Sequence, residues 1–493
     1  MSITTSSSGG TSKSGVRRRL GAGAAAAVGV VLFAGNASGG PAATPTSGTR
    51  VVSSNANEVR GNGRSVFLSF SPNGQQVAFA STATNLGTAN DGHQQVYVKD
   101  LRTGKVQLVS SSSAGIPGNG NAQLTAEWSP DGTRIIFGSA ASNLVPHYKT
   151  MNGSSAYIKD LRTGNTITLD PRADSEADDA TWSPDGRYIA FFSNLLTKWK
   201  GKWDNEFYVR NVATGKVSVL SSSASGEPAT DFGCYLACYM VWSPTGSEIA
   251  FTSRMPNLIT AIGSKPYQSP HGAFPTSELF VKNVRTGKLT VASSTKNGAV
   301  ANNDSCDYDP PVWSPDGTRI VFDSWSSNLA AGSGGPQTMS VYMKNLTTGG
   351  VDRVTPSNVD TFSYYAGGWS PDGSRVAYET SPEQNADPLP YVVYVKNLSS
   401  GAQVTVTGAV TGVRAPTATG FLGFERDGDI VLVETSTARK TSRIDISTVD
   451  LADQKTTLIV AGSNPSAGWD PVGTQVAYSN NSAHSQVLLR PVG

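Results

Sequence analysis

The sequence predicts an all-β protein, a single β-propeller of four-stranded antiparallel blades. Three observations predict it. A short aromatic-x-Pro-x-Gly phrase recurs along the chain, β-rich alternating segments follow each copy, and no long helical periodicity occurs after the N-terminus. The 493 residues include 52 glycines and 27 prolines, and only 15% are charged. This composition suits a β-protein with many tight turns.

The recurring phrase is clearest at residues 127–139 (EWSPDGTRIIFGS). The prolines of the six clearest copies are 54 to 71 residues apart. Proline fixes φ at the start of a turn and glycine supplies a positive φ, so the phrase predicts a tight turn after the innermost strand. Its leading aromatic residue is expected to lie buried between adjacent blades, not in a binding site. The leading residues of the eight copies, of which Phe424 opens a degenerate one, are Phe70, Trp128, Trp182, Trp242, Trp313, Trp369, Phe424 and Trp469.

Each copy of the phrase opens a unit with three further strand-like segments. A β-rich run comes first (IIFGS at 135–139), then an alternating run that ends in a Thr-Gly turn (YIKDLRTGN at 157–165). A short strand ending in small polar residues closes the unit (VQLVSSSS at 106–113). A meander repeated at this period indicates the blades of a propeller.

The two chain ends predict how the ring closes. The last unit stops without a fourth strand, whereas residues 49–54 (TRVVSS) match the fourth-strand pattern and have no phrase before them. We therefore expect residues 49–54 to complete the C-terminal blade and protect its edge. The count is eight blades, or seven if the degenerate unit forms none.

The phrase WSPDG-x-x-[IV]-[AI]-F, followed by a VYVKDLRTG-type strand, resembles the PD40 (WD40-like) repeat of TolB-like β-propellers, which occur in exported bacterial proteins. The resemblance covers residues 49–493. It implies the fold more strongly than a function, since such propellers serve as partner-binding modules, as gates of enzymes and as enzymes. Similar propellers are also attached to serine peptidases, but a hydrolase domain needs roughly 200 further residues, so no such activity is expected here.

The N-terminus predicts export. Residues 1–39 combine three arginines at 17–19 with the apolar stretch Leu20–Ala34, which is typical of a signal peptide, with an uncleaved membrane anchor as the alternative. Residues 40–48 are a predicted linker. The chain carries a net charge of +2, and residues 1–39 hold four cations and no acid, which leaves −2 for the rest. We expect a monomer that is secreted or held in the periplasm or cell envelope, with no affinity for nucleic acid.

Candidate binding residues fall on the face that carries the long, irregular connections, because loops on a rigid scaffold usually hold binding residues. Exposed tryptophans in a basic loop suit a protein or sugar partner, although one of them could cover its own blade. Two aspartates each lie four residues before a phrase tryptophan and suggest a site for a cation or a cationic partner at the channel mouth. Alternatively, they are loop acids that cap turns. The candidates are Lys198, Trp199, Lys200, Lys202, Trp203, Trp325, Asp178 and Asp309.

The three cysteines permit one disulfide in an exported protein. Any pairing among Cys234, Cys238 and Cys306 is open, and their spacing is a poor zinc pattern.

Catalytic motifs are missing from the sequence. It holds four histidines and no HExxH, GxSxG or P-loop pattern. The leading hypothesis is a non-enzymatic exported propeller that binds a protein or a cell-envelope glycan. The alternative is a carbohydrate-active hydrolase or lyase with carboxylates at the channel mouth. No cofactor is expected, and calcium is only weakly suggested.

Overall fold

The protein forms eight four-stranded antiparallel sheets, as seen in a computed structural model. The structure describes residues 49–87, 92–146, 154–172, 175–199, 202–226, 239–267, 275–306, 309–330, 338–356, 362–382, 392–406, 418–425, 427–436, 444–463, 467–471, 475–479 and 486–491.

Every blade is a meander whose sequence order is its spatial order, except the last. Strand β1 (Arg50–Val51) belongs to blade 8. Blades 1 to 4 contain β2 (Ser65–Phe70), β3 (Gln76–Ser81), β4 (Gln95–Asp100) and β5 (Val106–Leu108); β6 (Ala122–Trp128), β7 (Arg134–Ser139), β8 (Ser155–Asp160) and β9 (Thr166–Thr168); β10 (Ser175–Trp182), β11 (Tyr188–Trp199), β12 (Lys202–Asn211) and β13 (Val217–Val219); β14 (Met240–Trp242), β15 (Glu248–Ser253), β16 (Glu278–Asn283) and β17 (Leu289–Val291).

Blades 5 to 8 follow the same plan. They contain β18 (Val312–Trp313), β19 (Arg319–Ser324), β20 (Ser340–Asn345) and β21 (Val351–Arg353); β22 (Phe362–Trp369), β23 (Arg375–Pro382), β24 (Val392–Asn397) and β25 (Gln403–Val406); β26 (Ala418–Phe424), β27 (Ile430–Ser436), β28 (Ile444–Asp450) and β29 (Thr456–Ser463); β30 (Ala467–Trp469), β31 (Gln475–Ser479) and β32 (Val487–Pro491). The degenerate unit therefore forms blade 7, and the prediction of eight blades is confirmed.

The predicted closure of the ring is also confirmed. Strand β1 pairs antiparallel with β32, with Arg50 opposite Leu489. The Val52 amide donates to the Val487 carbonyl at 2.8 Å, and Val52 is fully buried. One sheet thus holds both ends of the propeller, which removes an open edge.

The phrase folds as its residues predict. In blade 2, Ser129 Oγ accepts the Arg134 amide at 2.9 Å, while Asp131 Oδ1 accepts the Thr133 amide at 3.0 Å. Gly132 adopts φ +69°, the left-handed region that glycine tolerates. The side chain of Trp128 is buried between the blades, as expected. The phrase is therefore a side-chain-capped turn and an inter-blade wedge.

A buried cation on the third strand links most neighbouring blades. Lys159 Nζ donates to the Ser111 carbonyl at 3.1 Å, and Lys282 Nζ donates to the Ser222 carbonyl at 2.7 Å, in each case on the preceding blade. Burial lowers the pKa of Lys159 to about 8, and that of Lys282 likewise. The other cations in this position, which also donate to carbonyls of the preceding blade, are Lys99, Arg210, Lys344 and Lys396.

Blades 3 and 4 depart from the common plan. Strands β11 and β12 have 12 and 10 residues, whereas the matching strands of blade 1 have six each. In blade 4 the connection after β15 contains the short helix α1 (Pro256–Ala261), which buries Leu258 and Ile259. No helix in the described part of the chain is long and apolar enough to span a membrane.

Candidate functional site

The blade topology separates two faces. In an antiparallel meander, the first-to-second and third-to-fourth turns lie at one end of the sheet and the other connections at the opposite end. We call the first the phrase face and the second the long-loop face. The innermost strands of neighbouring blades, such as β6 and β10, contact one another around the ring. The mouth of the central channel on the long-loop face is thus bordered by the starts of these strands.

The described residues of the basic segment at 198–203 lie in a strand pair, not in the irregular loop that the sequence suggested. Strand β11 ends at Trp199, β12 begins at Lys202, and these two residues are register partners. Trp203 follows in β12, Lys198 precedes Trp199 in β11, and Lys200 lies outside the described residues. The hairpin extends six residues past Ser193, the register partner of Glu206, which at about 3.3 Å per residue is roughly 20 Å.

The two predicted acids lie near the inner strands of blades 3 and 5. Asp178 belongs to β10 and is the register partner of Phe192. Asp309 is half-buried just before β18 (Val312–Trp313). Asp178 is thus the fourth residue of one innermost strand, and Asp309 lies three residues before another.

Trp325 lies beside a buried ion pair that sequence reasoning missed. Its amide donates to the Asp304 carbonyl at 2.9 Å. Arg254 Nη1 and Asp304 Oδ1 are 2.8 Å apart, and the Asp304 side chain is only 1% exposed. The same Oδ1 accepts the Ser277 amide at 2.8 Å. This pair ties blade 4 to the connection that leads into blade 5.

Glu278 adds a second carboxyl to this cluster at the start of β16. Its side chain accepts hydrogen bonds from Thr276 Oγ1 at 3.0 Å and from the Ser293 hydroxyl. Burial raises the pKa of Glu278 well above its usual range, and the charge of nearby Asp304 raises it further. The sequence signal was an acid at the first position of the third strand, where blade 1 has Gln95.

A related cluster joins blades 2 and 3. Asp170 is fully buried and pairs with Arg172, whose guanidinium lies 3.7 Å from the centroid of the Tyr208 ring. Ser193 Oγ donates to Asp170 Oδ2 at 3.0 Å. Fixed charges thus lie beneath the long-loop face of blades 2 to 5.

A further carboxyl lies between the innermost strands of blades 2 and 3. Thr181 Oγ1 donates to Glu127 Oε1 at 2.9 Å across the boundary of blades 2 and 3. Burial raises the pKa of the Glu127 carboxyl. Leu124 on the same innermost strand is 51% exposed.

The predicted disulfide stays a prediction. Cys306 is fully buried and has a positive φ of 55°, while Cys234 and Cys238 lie outside the described residues. Among the described residues, no group of three or more His, Cys, Asp or Glu side chains is placed to hold a metal ion. His93 is the sole histidine within them.

Comparison with known proteins points to peptidases. The family model for the N-terminal region of dipeptidyl peptidase IV matches residues 139–253, from the end of β7 to the end of β15. Dipeptidyl-peptidase 5 of Porphyromonas gingivalis is 26% identical over 183 residues, covering 36% of this chain and 22% of that protein. The uncharacterized peptidase YuxL of Bacillus subtilis is 26% identical over 227 residues, covering 44% of this chain and 31% of YuxL. The chain thus matches less than a third of either relative.

The comparison with solved structures supports the fold. The crystal structure of dipeptidyl peptidase 4 from Porphyromonas gingivalis superposes with a TM-score of 0.52, covering 87% of this chain and 58% of that one at 13% identity. The chain is a β-propeller related in sequence to the propellers of peptidases.

These findings correct the functional expectation. The hypothesis of a non-enzymatic propeller that binds a protein or glycan is wrong, and the carbohydrate-active alternative falls with it, because the relatives are peptidases. The expectation that the protein is more likely not an enzyme is overturned for the same reason. The expectation was wrong because the resemblance to peptidase propellers was set aside on chain length and missing catalytic motifs, whereas the repeat itself specifies only blades.

Proposed function

We propose that this chain serves peptide hydrolysis as the propeller of a dipeptidyl-type peptidase. The observation that carries the proposal is the match of residues 139–253 to the N-terminal region of dipeptidyl peptidase IV. Those residues include the extended hairpin of blade 3. In this role the propeller receives and orients a peptide, and a hydrolase domain packed against it supplies the nucleophile.

The long-loop face has the chemistry that this role needs. A peptide with a free amino end carries a positive charge, which the carboxylates of Asp178 and Asp309 would bind at the channel mouth. The residues at 198–203 and Trp325 would contact the peptide or the hydrolase domain through aromatic and cationic side chains. The buried pairs below them, such as Arg254 with Asp304, would hold the loops in place.

Three further expectations belong to this proposal. The protein acts outside the cytoplasm, because residues 1–39 have the pattern of an export signal. Its repeats are of the TolB-like PD40 type, which the WSPDG phrase supports. It binds a polypeptide partner as a monomer and needs no cofactor, so that chelation of calcium leaves peptide binding unchanged.

The proposal is tested by peptide binding to the purified chain. A fluorescent peptide with a free amino end is titrated and followed by anisotropy, beside the same peptide with an acetylated end. We expect saturable binding of the free-ended peptide and at least about tenfold weaker binding of the acetylated one, since a charge-assisted hydrogen bond is lost.

The variants Asp178→Asn and Asp309→Asn locate the site. Each variant should bind the free-ended peptide more weakly and bind the acetylated peptide as tightly as the wild-type chain does. Asp453→Asn is the matched control, because Asp453 is an exposed acid in a Thr-Gly-type turn of blade 7 on the phrase face. Equal affinity of all variants for both peptides, or no binding at all, would refute the proposal.

A further inference from the structure

In two blades, the first residue of the second strand packs over the ring of the phrase tryptophan of the next blade. We call this residue the cap of that tryptophan. Tyr188 stacks on Trp242 with ring centroids 6.3 Å apart, and the Arg319 guanidinium lies 4.6 Å from the centroid of Trp369. Arg319 Nη2 also donates to the Gly373 carbonyl at 3.1 Å. A planar group therefore fills the space above the tryptophan in these two gaps.

The gap between blades 2 and 3 lacks this cap. The equivalent residue, Arg134, directs its guanidinium to Asp160 on its own blade, with Nε and Oδ2 3.6 Å apart. A cleft of about 360 Å³ opens on the phrase face. Its lining includes Trp182, Pro130, Pro184, Asp131, Asp185 and Arg134.

We propose that this cleft binds the guanidinium of an arginine side chain on a polypeptide partner. The ligand would take the place above Trp182 that Arg319 takes above Trp369, and its N–H groups would donate to the carboxylates of Asp131 and Asp185. A cation over a tryptophan ring and a guanidinium facing carboxylates are both favourable arrangements. The site lies on the face opposite the proposed peptide site and does not depend on it.

The charges in the cleft favour this ligand. Hydrogen bonds from Ser129 and Thr133 lower the pKa of Asp131, so its carboxylate is ionised at neutral pH. Arg187 is paired with Asp185 at 3.7 Å, but its side chain is 79% exposed, so the pair is weak and exchangeable. Arg134 is the one cation that competes for the cleft from its lining.

The geometry of Trp182 is consistent with a looser gap. In three other gaps the phrase tryptophan donates its Nε1–H to a carbonyl of the preceding blade, as Trp313 does to Val241 at 3.0 Å. Trp182 Nε1 is buried and has no hydrogen-bond partner among the described residues.

The test uses a pentapeptide with a central arginine, acetylated and amidated at its ends, and follows binding by anisotropy of an attached dye. Peptides with citrulline or lysine in place of arginine are the ligand controls. We expect saturable binding of the arginine peptide and at least about fivefold weaker binding of the other two, since only guanidinium combines the charge with a planar fork.

The double variant Asp131→Asn with Asp185→Asn should bind the arginine peptide at least about tenfold more weakly than the wild-type chain. The turns should still fold, because blade 1 has Asn73 at this position, where its Oδ1 accepts the Gln75 amide at 3.0 Å. The matched control is Asp316→Asn with Asp372→Asn, in the gap that Arg319 already fills. Equal effects of the two double variants would overturn the proposal.

Arg319→Ala gives a complementary test. Removing this guanidinium should open a second cleft above Trp369 and raise the number of bound arginine peptides from one to two. Arg134→Gln, which removes the competing cation, should tighten the first site. A stoichiometry that stays at one, together with weaker binding to Arg134→Gln, would mean that the cleft is only a space for Arg134 itself.

Discussion

The gap between blades 2 and 3 and the gap between blades 5 and 6 contain the same phrase. They differ in the contacts that the phrase tryptophan makes. In the second, Trp369 donates to the Val312 carbonyl at 3.1 Å and lies under Arg319. In the first, Trp182 makes neither contact and a cleft opens above it. A repeat thus fixes the wedge, while one side chain outside the phrase decides whether the gap is filled. The free energies of unfolding of variants should show how much each kind of contact stabilises the packing of neighbouring blades.

The largest effect is expected at the closure of the ring. A chain that starts at Asn55 lacks β1 and the buried Val52, and Lys99 loses its acceptors on Ser54. Compared with a chain that starts at Thr49, its free energy of unfolding should fall by at least about 3 kcal/mol. Urea denaturation of both chains measures this. A difference below about 1 kcal/mol would show that blade 8 does not need its fourth strand.

The buried lysines should make stability rise with pH. Burial lowers the folded-state pKa of Lys159, Lys282 and Lys344 to about 8, whereas an unfolded lysine keeps a pKa near 10.4. Between pH 8 and 10.4 the unfolded chain binds more protons, so each lysine raises the free energy of unfolding by up to about 1.4 kcal/mol per pH unit.

Replacing one of these lysines tests that slope. Lys282→Met should reduce the rise in unfolding free energy between pH 8 and 10, whereas Lys288→Met, at an exposed position, should leave it unchanged. Urea denaturation at three pH values measures both. Parallel pH profiles for the two variants would contradict the account.

The indole hydrogen bonds should have a smaller effect. Trp313→Phe removes the bond to the Val241 carbonyl, while Trp182→Phe removes none. Both lose the same ring area, so the difference in unfolding free energy isolates the hydrogen bond at about 1 kcal/mol. Equal losses in chemical denaturation would show that this bond does not distinguish the gaps.

The smallest effect is expected at Glu278. Its folded-state pKa is raised above the unfolded value, so its favourable contribution is complete below the unfolded pKa and is lost as pH rises through the folded one. Glu278→Gln should cost less than about 1 kcal/mol at pH 5, because Gln95 fills this position in blade 1. The cost should shrink by pH 8. Thermal unfolding of both proteins at the two pH values checks the sign.

Much of the fold was predictable because its information is local and repeated. Proline, glycine and a capping serine specify the turn at Trp128, and alternation specifies the strands around it. Even the closure by residues 49–54 followed from a pattern match. The buried lysine of the third strand was equally visible as a repeated residue, but a lysine next to a turn suggests an exposed position until its neighbour on the preceding blade is known.

The site was less predictable, because it depends on contacts between blades. Arg254 and Asp304 form an ion pair although they are 50 positions apart, and no local sequence pattern predicts it. The cleft above Trp182 depends on the direction of the Arg134 side chain, although Arg134 and Arg319 occur in identical local sequence. The similarity to the N-terminal region of dipeptidyl peptidase IV extends from the end of blade 2 to blade 4, and no single motif expresses it.

The central claim is that this propeller serves peptide hydrolysis. It is tested most directly by comparing the exported fractions of producing cells with and without the chain for release of chromophore from dipeptidyl substrates. The account predicts that activity is lost with the chain and returns with the wild-type chain, but not fully with the variant Asp178→Asn, Asp309→Asn. Unchanged hydrolysis in cells that lack the chain would contradict it.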